Sequence, residues 1–231
     1  MGGPGDPVTR IAAAIPAYQA APSVGDVTRR TLHIVPDLLV VDDGSTDGTS
    51  DEARRAGAEV RVLPRNCGKG AALRVAFETL FARGFDAVVT LDADGQHLPE
   101  EIPCLIVAAD GAELVLGTRD HLFAQMGRVR RTSNRLSSRA ISWLAGQRLS
   151  DVQTGFRLYT RRLLEATGFP ETGFDAESAV VVRAARRGLR IRPVPVRLGF
   201  ADGRTTSHYR PVADSLRIAR AVVHARLDTP R

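Results

Sequence analysis

The stretch Leu38-Leu39-Val40-Val41-Asp42-Asp43-Gly44-Ser45-Thr46-Asp47-Gly48 joins four consecutive apolar residues to a turn crowded with carboxylates and glycine. A strand exposed on one face alternates apolar and polar side chains, whereas a strand covered on both faces reads as a continuous apolar run. Leu38–Val41 is of the second kind, so helices are expected on both sides of its sheet. Similar short runs stand at Ile11–Ile15, Glu59–Leu63, Ala87–Leu91 and Glu113–Leu116. Between them lie longer segments of helical character, about Ser23–Leu32, Gly48–Ala56, Gly68–Arg83 and Pro99–Ala109. Strand and helix alternating at this rhythm predict an α/β fold: a single Rossmann-like domain with a mostly parallel central sheet.

The second half reads differently. Arg128–Leu144 is a helical stretch dense in Arg and Ser, followed by a loop over Ser150–Phe156. Phe174–Arg187 reads as a helix, Leu189–Leu198 as a strand and Pro211–Leu227 as a final helix. Val212, Leu216, Ala219, Val223 and Leu227 form one apolar stripe of that helix, flanked by Arg217, Arg220 and Arg226. Such a stripe packs on the domain or lies on an anionic membrane surface; packing is the preferred expectation. Residues 1–9 are rich in Gly and Pro and are expected to be a disordered leader. Residues 10–231 are expected to form one domain, with ligand binding in 10–120 and its completion in 121–231.

Composition narrows the function classes. The chain has 231 residues, 43% hydrophobic and 5% aromatic, enough to bury a core built from Val, Leu, Ile and Ala. Its two cysteines, Cys67 and Cys104, make neither a disulfide framework nor a metal-ligand pattern and are expected to be reduced thiols. No apolar run approaches the ~18 residues that span a bilayer, and the first residues lack the pattern of a signal peptide. A cytoplasmic protein is expected, with a peripheral position at the inner face of the membrane as an option. The net charge of +6 favours anionic partners. Without zinc-finger spacing or basic runs interleaved with aromatics, nucleic acid is not expected among them.

In open parallel sheets, ligands bind beyond the carboxyl ends of the strands. The polar clusters fall there: Pro16-Ala17-Tyr18 after Ile15, Asp42 to Gly48 after Val41, Asp92-Ala93-Asp94-Gly95-Gln96-His97 after Leu91, and Gly117-Thr118-Arg119 after Leu116. Asp92 and Asp94 can present oxygens to a hard divalent cation such as Mg²⁺, which combines a few carboxylates with phosphate oxygens and water, and Gln96 adds a neutral oxygen. The competing reading is a solvated turn that caps the helix near Pro99. Asp42-Asp43-Gly44-Ser45 suits a nucleoside, because a carboxylate accepts from ribose hydroxyls or base N–H groups and glycine lets the backbone come close. Asn66-Cys67-Gly68-Lys69-Gly70 opens a helix whose N-terminus attracts anions. It lacks the Gly-x4-Gly-Lys-Ser/Thr spacing of a phosphate loop, and the chain has no Gly-x-Gly-x-x-Gly dinucleotide fingerprint.

Taken together, Ile15 to Tyr18, Val40 to Gly48, Asn66 to Leu73, Thr90 to His97, Leu116 to Arg119 and Asp151 to Arg157 resemble the family 2 glycosyltransferases of the GT-A fold, and most closely the polyprenyl- or dolichyl-phosphate sugar synthases. The resemblance spans about residues 10 to 220. It implies that Pro16, Tyr18, Val41 and Asp43 contact the nucleoside and that Ala17, Gly44, Lys69, Asp92, Ala93, Asp94, Arg119 and Arg204 complete the nucleotide-sugar site. Asp94 and Gln96 would hold Mg²⁺ or Mn²⁺, and Asp92, Asp94 and Arg119 would be the catalytic set. Arg130, Arg131, Ser133, Gln153 and His208 would receive the acceptor's phosphate. The chain departs from the family where Tyr18-Gln19-Ala20 replaces Tyr-Asn-Glu, and where Ser207-His208 follows Arg204 in place of Ser-Lys.

The implied donor is a nucleotide sugar, GDP-mannose or UDP-glucose, and the implied acceptor a polyprenyl phosphate. A hydroxyl acceptor needs a general base, and the family's Glu-Asp motif has no clear counterpart; Asp175 and Glu177 are the nearest carboxylates. A phosphate acceptor is already ionised and needs no base, so an Arg-rich second half favours it. The alternatives are transfer to a soluble sugar or protein hydroxyl, and a regulatory module that binds nucleotide sugar without turnover.

Overall fold

The computed structural model describes residues 9–118, 142, 152, 154–199, 218 and 220–225. The leader through residue 8, the Arg- and Ser-rich segment apart from residue 142, and most of the final helix lie outside them. Among the described residues seven strands form one sheet: β1 (Ile11–Ala17), β2 (Leu38–Asp42), β3 (Glu59–Val62), β4 (Ala87–Thr90), β5 (Leu114–Thr118), β6 (Arg157–Thr160) and β7 (Ile191–Pro195), in the order β3-β2-β1-β4-β6-β5-β7. All neighbours run parallel except β6, which is antiparallel to both β4 and β5.

The continuous apolar run of β2 is explained by two covered faces. Leu39 and Val41 enter one core layer with Leu73, Phe77 and Leu80 of α3 (Lys69–Ala82). Leu38 and Val40 enter the other with Val24 and Val27 of α1 (Ala21–Leu32), Ala53 of α2 (Thr49–Arg55), and Ile102 and Leu105 of α4 (Ile102–Ala108). The period of two thus survives as a choice between two apolar layers. The helix expected over Pro99–Ala109 starts as a 3₁₀ turn, Pro99–Glu101, and becomes α-helical at Ile102. Pro103 explains the break, because its ring excludes an α-helical carbonyl four residues back.

Two elements were not foreseen. β6 begins with a charged residue and has only four, so it carries no apolar signature. α5 (Arg161–Thr167) follows it directly, capped by Thr160, whose side chain accepts from Leu163 N at 3.2 Å. α6 (Asp175–Arg186) and β7 fall within the expected spans. The expected stripe of the last helix needs correction where it is described. Ile218, Ala221, Val222 and Ala225 are buried in the α3 and α6 core layer, whereas Val223 is 49% exposed. Among the described residues no helix is long and apolar enough to cross a membrane.

Candidate active site

The register sets Pro16 beside Val41 and Ala17 beside Asp42, and Ala14 beside Thr90, so the carboxyl ends of β1, β2 and β4 open side by side. The turns after β1 and β2 form one bonded unit. Asp42 Oδ1 accepts from Ser45 N at 2.8 Å, and Ser45 Oγ accepts from Gln19 N at 2.9 Å. The Gln19 amide accepts from Thr46 N and donates to Thr46 Oγ1, both at 3.1 Å. Ala20 N donates to Thr49 Oγ1 at 2.8 Å and Ala21 N to Asp47 Oδ2 at 3.0 Å. Gln19 adopts φ 50°, a left-handed conformation that these bonds hold in place.

Asp43 ties this unit to the start of α3. Its two oxygens accept from Cys67 N at 2.7 Å and Gly68 N at 2.8 Å. Burial raises the Asp43 pKa above its ordinary value and the Asp42 charge adds to this, while the two N–H groups oppose it. Gly44, at φ 74°, lets the chain pass Arg65, whose carbonyl carbon would lie 2.5 Å from any Cβ there.

Beyond β4, the carboxylate of Asp92 is a meeting point. Lys69 Nζ lies 2.7 Å from Asp92 Oδ1 and 2.9 Å from Glu177 Oε2. His97 Nδ1 lies 3.6 Å from Asp92 Oδ2, and its ring stacks on Phe156 at 5.4 Å. Burial works against the Lys69 ammonium, but the charges and hydrogen bonds of Asp92 and Glu177 outweigh it and hold the pKa well above the usual lysine value. Asp94 Oδ1 accepts from Gln96 N at 3.0 Å, and the Ala93 carbonyl accepts from Ser23 Oγ at 2.7 Å. The chain after β7 folds over this loop: Gly199 N donates to Gln96 O at 3.0 Å, and Leu198 bridges to His97.

The segment leading into β6 is held from inside. Arg157 is fully buried, and its guanidinium donates to Thr154 O (2.7 Å), Glu177 O (2.6 Å) and Val152 O (2.7 Å). This fork ties Val152 and Thr154 to the first turn of α6. Thr90 Oγ1 adds a bond to Gly155 O at 2.9 Å. Gly155 thereby faces Asp92, whose Oδ1 lies 2.5 Å from where a Cβ would stand.

Pro16, Ala17, Tyr18, Val41, Asp43, Gly44, Lys69, Asp92, Ala93, Asp94 and Gln96 therefore gather around adjacent strand ends. Tyr18, Asp92, Asp94 and Gln96 retain partial exposure. Arg119 immediately follows the last residue of β5 but lies outside the described residues, as do Arg130, Arg131, Ser133, Gln153, Arg204 and His208. Of the two carboxylates considered as bases, Glu177 is buried and paired with Lys69, whereas Asp175 is partly exposed. Sequence reasoning missed the Lys69–Asp92–Glu177 triad and the approach of Gly155 to Asp92. The glycine of Thr154-Gly155-Phe156, beside an aromatic, was the only local sign of the latter.

Residues 13–168 match the family described as Glycosyl transferase family 2. The undecaprenyl-phosphate mannosyltransferase of Micrococcus luteus is 35% identical over 205 residues, covering 81% of this chain and 82% of the relative. The polyprenol monophosphomannose synthase of Mycolicibacterium smegmatis is 34% identical over 208 residues, covering 82% and 77%. Among solved structures, glucosyl-3-phosphoglycerate synthase of M. tuberculosis superposes with a TM-score of 0.75 at 24% identity, covering 95% of this chain and 81% of that one. A crystal form of the synthase with Mg²⁺ and uridine diphosphate gives 0.70 at 24% identity, covering 94% and 78%. These structural likenesses speak for the fold. With the family match running over most of the chain and two relatives at 35% and 34% identity, the protein belongs to glycosyl transferase family 2 and is a glycosyltransferase of the GT-A fold.

Proposed function

We propose that the protein transfers a hexose, mannose or glucose, from a nucleoside diphosphate sugar to a polyprenyl phosphate, with inversion and with help from Mg²⁺ or Mn²⁺. The observation that carries the reading is the end of β4. There Asp92 and Asp94 stand partly exposed beside the bonded turns of β1 and β2. The named activities of the two relatives, both polyprenyl-phosphate mannosyl transfer, support the acceptor. The GDP or UDP moiety would lie along Pro16, Ala17, Tyr18, Val41 and Gly44. Asp43, whose oxygens already hold the 67–68 backbone, would serve by fixing that wall.

The donor set suits a hard cation. Asp94 offers a carboxylate and Gln96 an amide oxygen, both partly exposed. Among the described residues no group of three or more His, Cys, Asp or Glu side chains is arranged to hold a metal ion, so phosphate oxygens and water would complete the shell. When bound there, the ion would neutralise charge on the departing diphosphate. Arg119, directly after β5, would add a guanidinium to the same phosphates.

An oxygen of the acceptor phosphate forms the new bond to the anomeric carbon as the bond from that carbon to the diphosphate oxygen breaks, and the electron pair leaves with the nucleoside diphosphate. The nucleophile is already an anion, so no proton has to be removed. This agrees with Glu177 being held by Lys69. Arg130, Arg131, Ser133, Gln153 and His208 would receive the acceptor phosphate, and Arg204 the donor. The reading puts the protein in the cytoplasm, at the inner face of the membrane where a lipid phosphate is presented; the net charge of +6 favours such a surface.

The test is an acceptor panel with GDP-mannose and UDP-glucose as donors. Transfer to undecaprenyl phosphate, with little to free sugars or proteins, is expected. Transfer to a sugar or protein hydroxyl and none to the lipid phosphate would overturn the acceptor assignment. Nucleotide-sugar binding with neither transfer nor hydrolysis would overturn catalysis.

A further inference from the structure

We propose that Lys69 is a positioning residue for the reaction: it fixes the Asp92 carboxylate in its donor-facing orientation, and Glu177 fixes Lys69. This rests on the reading of the β4 end as the donor site.

Three elements distant in sequence converge on one ammonium. Lys69 opens α3, Asp92 stands just beyond β4 and Glu177 lies in the first turn of α6. Nζ stands 2.7 Å from Asp92 Oδ1 and 2.9 Å from Glu177 Oε2. The convergence is built into the backbone. A Cβ on Gly68 would overlap the Thr172 carbonyl, and one on Gly70 would lie 2.6 Å from the Glu171 carbonyl and 2.8 Å from Ala176 Cβ. The two glycines flanking Lys69 therefore let α3 start directly against the loop that feeds α6. Ala71 N donates to Thr172 O at 3.1 Å across the same seam.

The burial gradient shows which end of the triad works. The Glu177 side chain is 6% exposed and that of Lys69 14%, but Asp92 keeps 30%. Covering a cation and an anion costs desolvation that their attraction offsets only in part, so a buried ion pair is a poor device for stability alone. Here the covered pair forms an anchor, and Asp92 is the least covered member of the triad. Gly155 closes the other side, and His97 stands 3.6 Å from the second oxygen. Without the ammonium, Asp92 and Glu177, which Nζ bridges, would be left as neighbouring like charges, and Asp92 would lose the contact that orients it.

The experiment compares Lys69→Met, Glu177→Gln and Asp92→Asn singly, with the Lys69→Met/Asp92→Asn pair, in hexose transfer to undecaprenyl phosphate. Melting temperature and Mn²⁺-dependent binding of the nucleoside diphosphate are measured in parallel. If Lys69 acts through Asp92, Lys69→Met lowers kcat/KM by about 100-fold, the loss expected from misplacing a reacting group by about an ångström. Binding of the nucleoside diphosphate with Mn²⁺, which falls to Asp94, stays within about threefold, and the double variant is no worse than Asp92→Asn alone. Glu177→Gln, which leaves Lys69 its Asp92 partner, loses about 10-fold and serves as the foldable test should Lys69→Met fail to fold. Losses that multiply in the double variant would overturn the proposal, as would near-normal transfer by Lys69→Met or Glu177→Gln while Asp92→Asn is inactive. Normal transfer by Asp92→Asn would instead remove the donor-site reading beneath it.

Discussion

Gly155→Ala is the substitution that most directly probes how the β4 end is held. A Cβ at residue 155 would stand 2.5 Å from Asp92 Oδ1 and 2.7 Å from its Cγ. A carbon and an oxygen in ordinary contact sit about 3.3 Å apart, so the carboxylate would have to retreat by about 0.8 Å. That shift acts on the oxygen that lies 2.7 Å from Lys69 Nζ. Misplacing a catalytic group by about 1 Å costs roughly 100-fold in rate, or about 2.7 kcal/mol of barrier. The fold should tolerate the change. Gly155 is not among the positive-φ glycines, the clashing group is a side-chain end, and alanine lowers the entropy of the unfolded chain. The expected outcome is a melting temperature near that of the unsubstituted protein with kcat/KM down about 100-fold in a donor titration of hexose transfer. Wild-type kinetics at a wild-type melting temperature would refute the placement of Asp92 as a positioned group.

Other substitutions separate scaffold from site. Gly70→Ala should lower stability by about 1–3 kcal/mol in denaturant titration, because its Cβ meets the Glu171 carbonyl backbone and Ala176. Arg157→Met should prevent folding near physiological temperature, as judged by circular dichroism, because three buried carbonyls lose their donor at about 1–3 kcal/mol each. Asp86 gives a pH signature. Its carboxylate accepts from Arg10 N (2.9 Å), Thr9 Oγ1 (2.8 Å) and Thr9 N (3.1 Å), and these bonds, Arg10 N first, hold its pKa below the ordinary aspartate value. A depressed folded pKa contributes stability above the unfolded value that is lost as pH falls through the folded one. Asp86→Asn should therefore melt a few degrees lower than wild type at neutral pH, with the gap closing in acid below the ordinary aspartate range.

The interior strands β1, β2, β4 and β5 were legible because they are covered on both faces. Leu38–Val41 could be apolar throughout only with cover on both faces, and both layers are present. The candidate site residues fall at strand ends for a related reason: where an apolar run stops at Asp42 or Asp92, the chain reaches the sheet's carboxyl edge. β6 was not legible, because Arg157 looks like a surface residue until its three carbonyl partners are known. The outward Val223 and inward Val222 show a related limit: two adjacent valines leave the phase of a helix open, and packing decides it. The resemblance implied Lys69 in the nucleotide-sugar site, at a helix start that attracts anions. In the structure its ammonium also meets Asp92 and Glu177, from segments that only the tertiary fold brings together.

In the proposed function the end of β4 holds the donor's diphosphate with a divalent ion through Asp94. The direct measurement is the thermal shift of the wild type and of Asp94→Ala with GDP and UDP, each with Mn²⁺ and with EDTA. A ligand at about 100 times its dissociation constant stabilises the folded state by about 2.7 kcal/mol, which is readily seen as a raised melting temperature. The account predicts a rise for the wild type with one nucleotide and Mn²⁺ that EDTA abolishes, and none for Asp94→Ala. An equal rise in Asp94→Ala, or one that EDTA leaves intact, would contradict it.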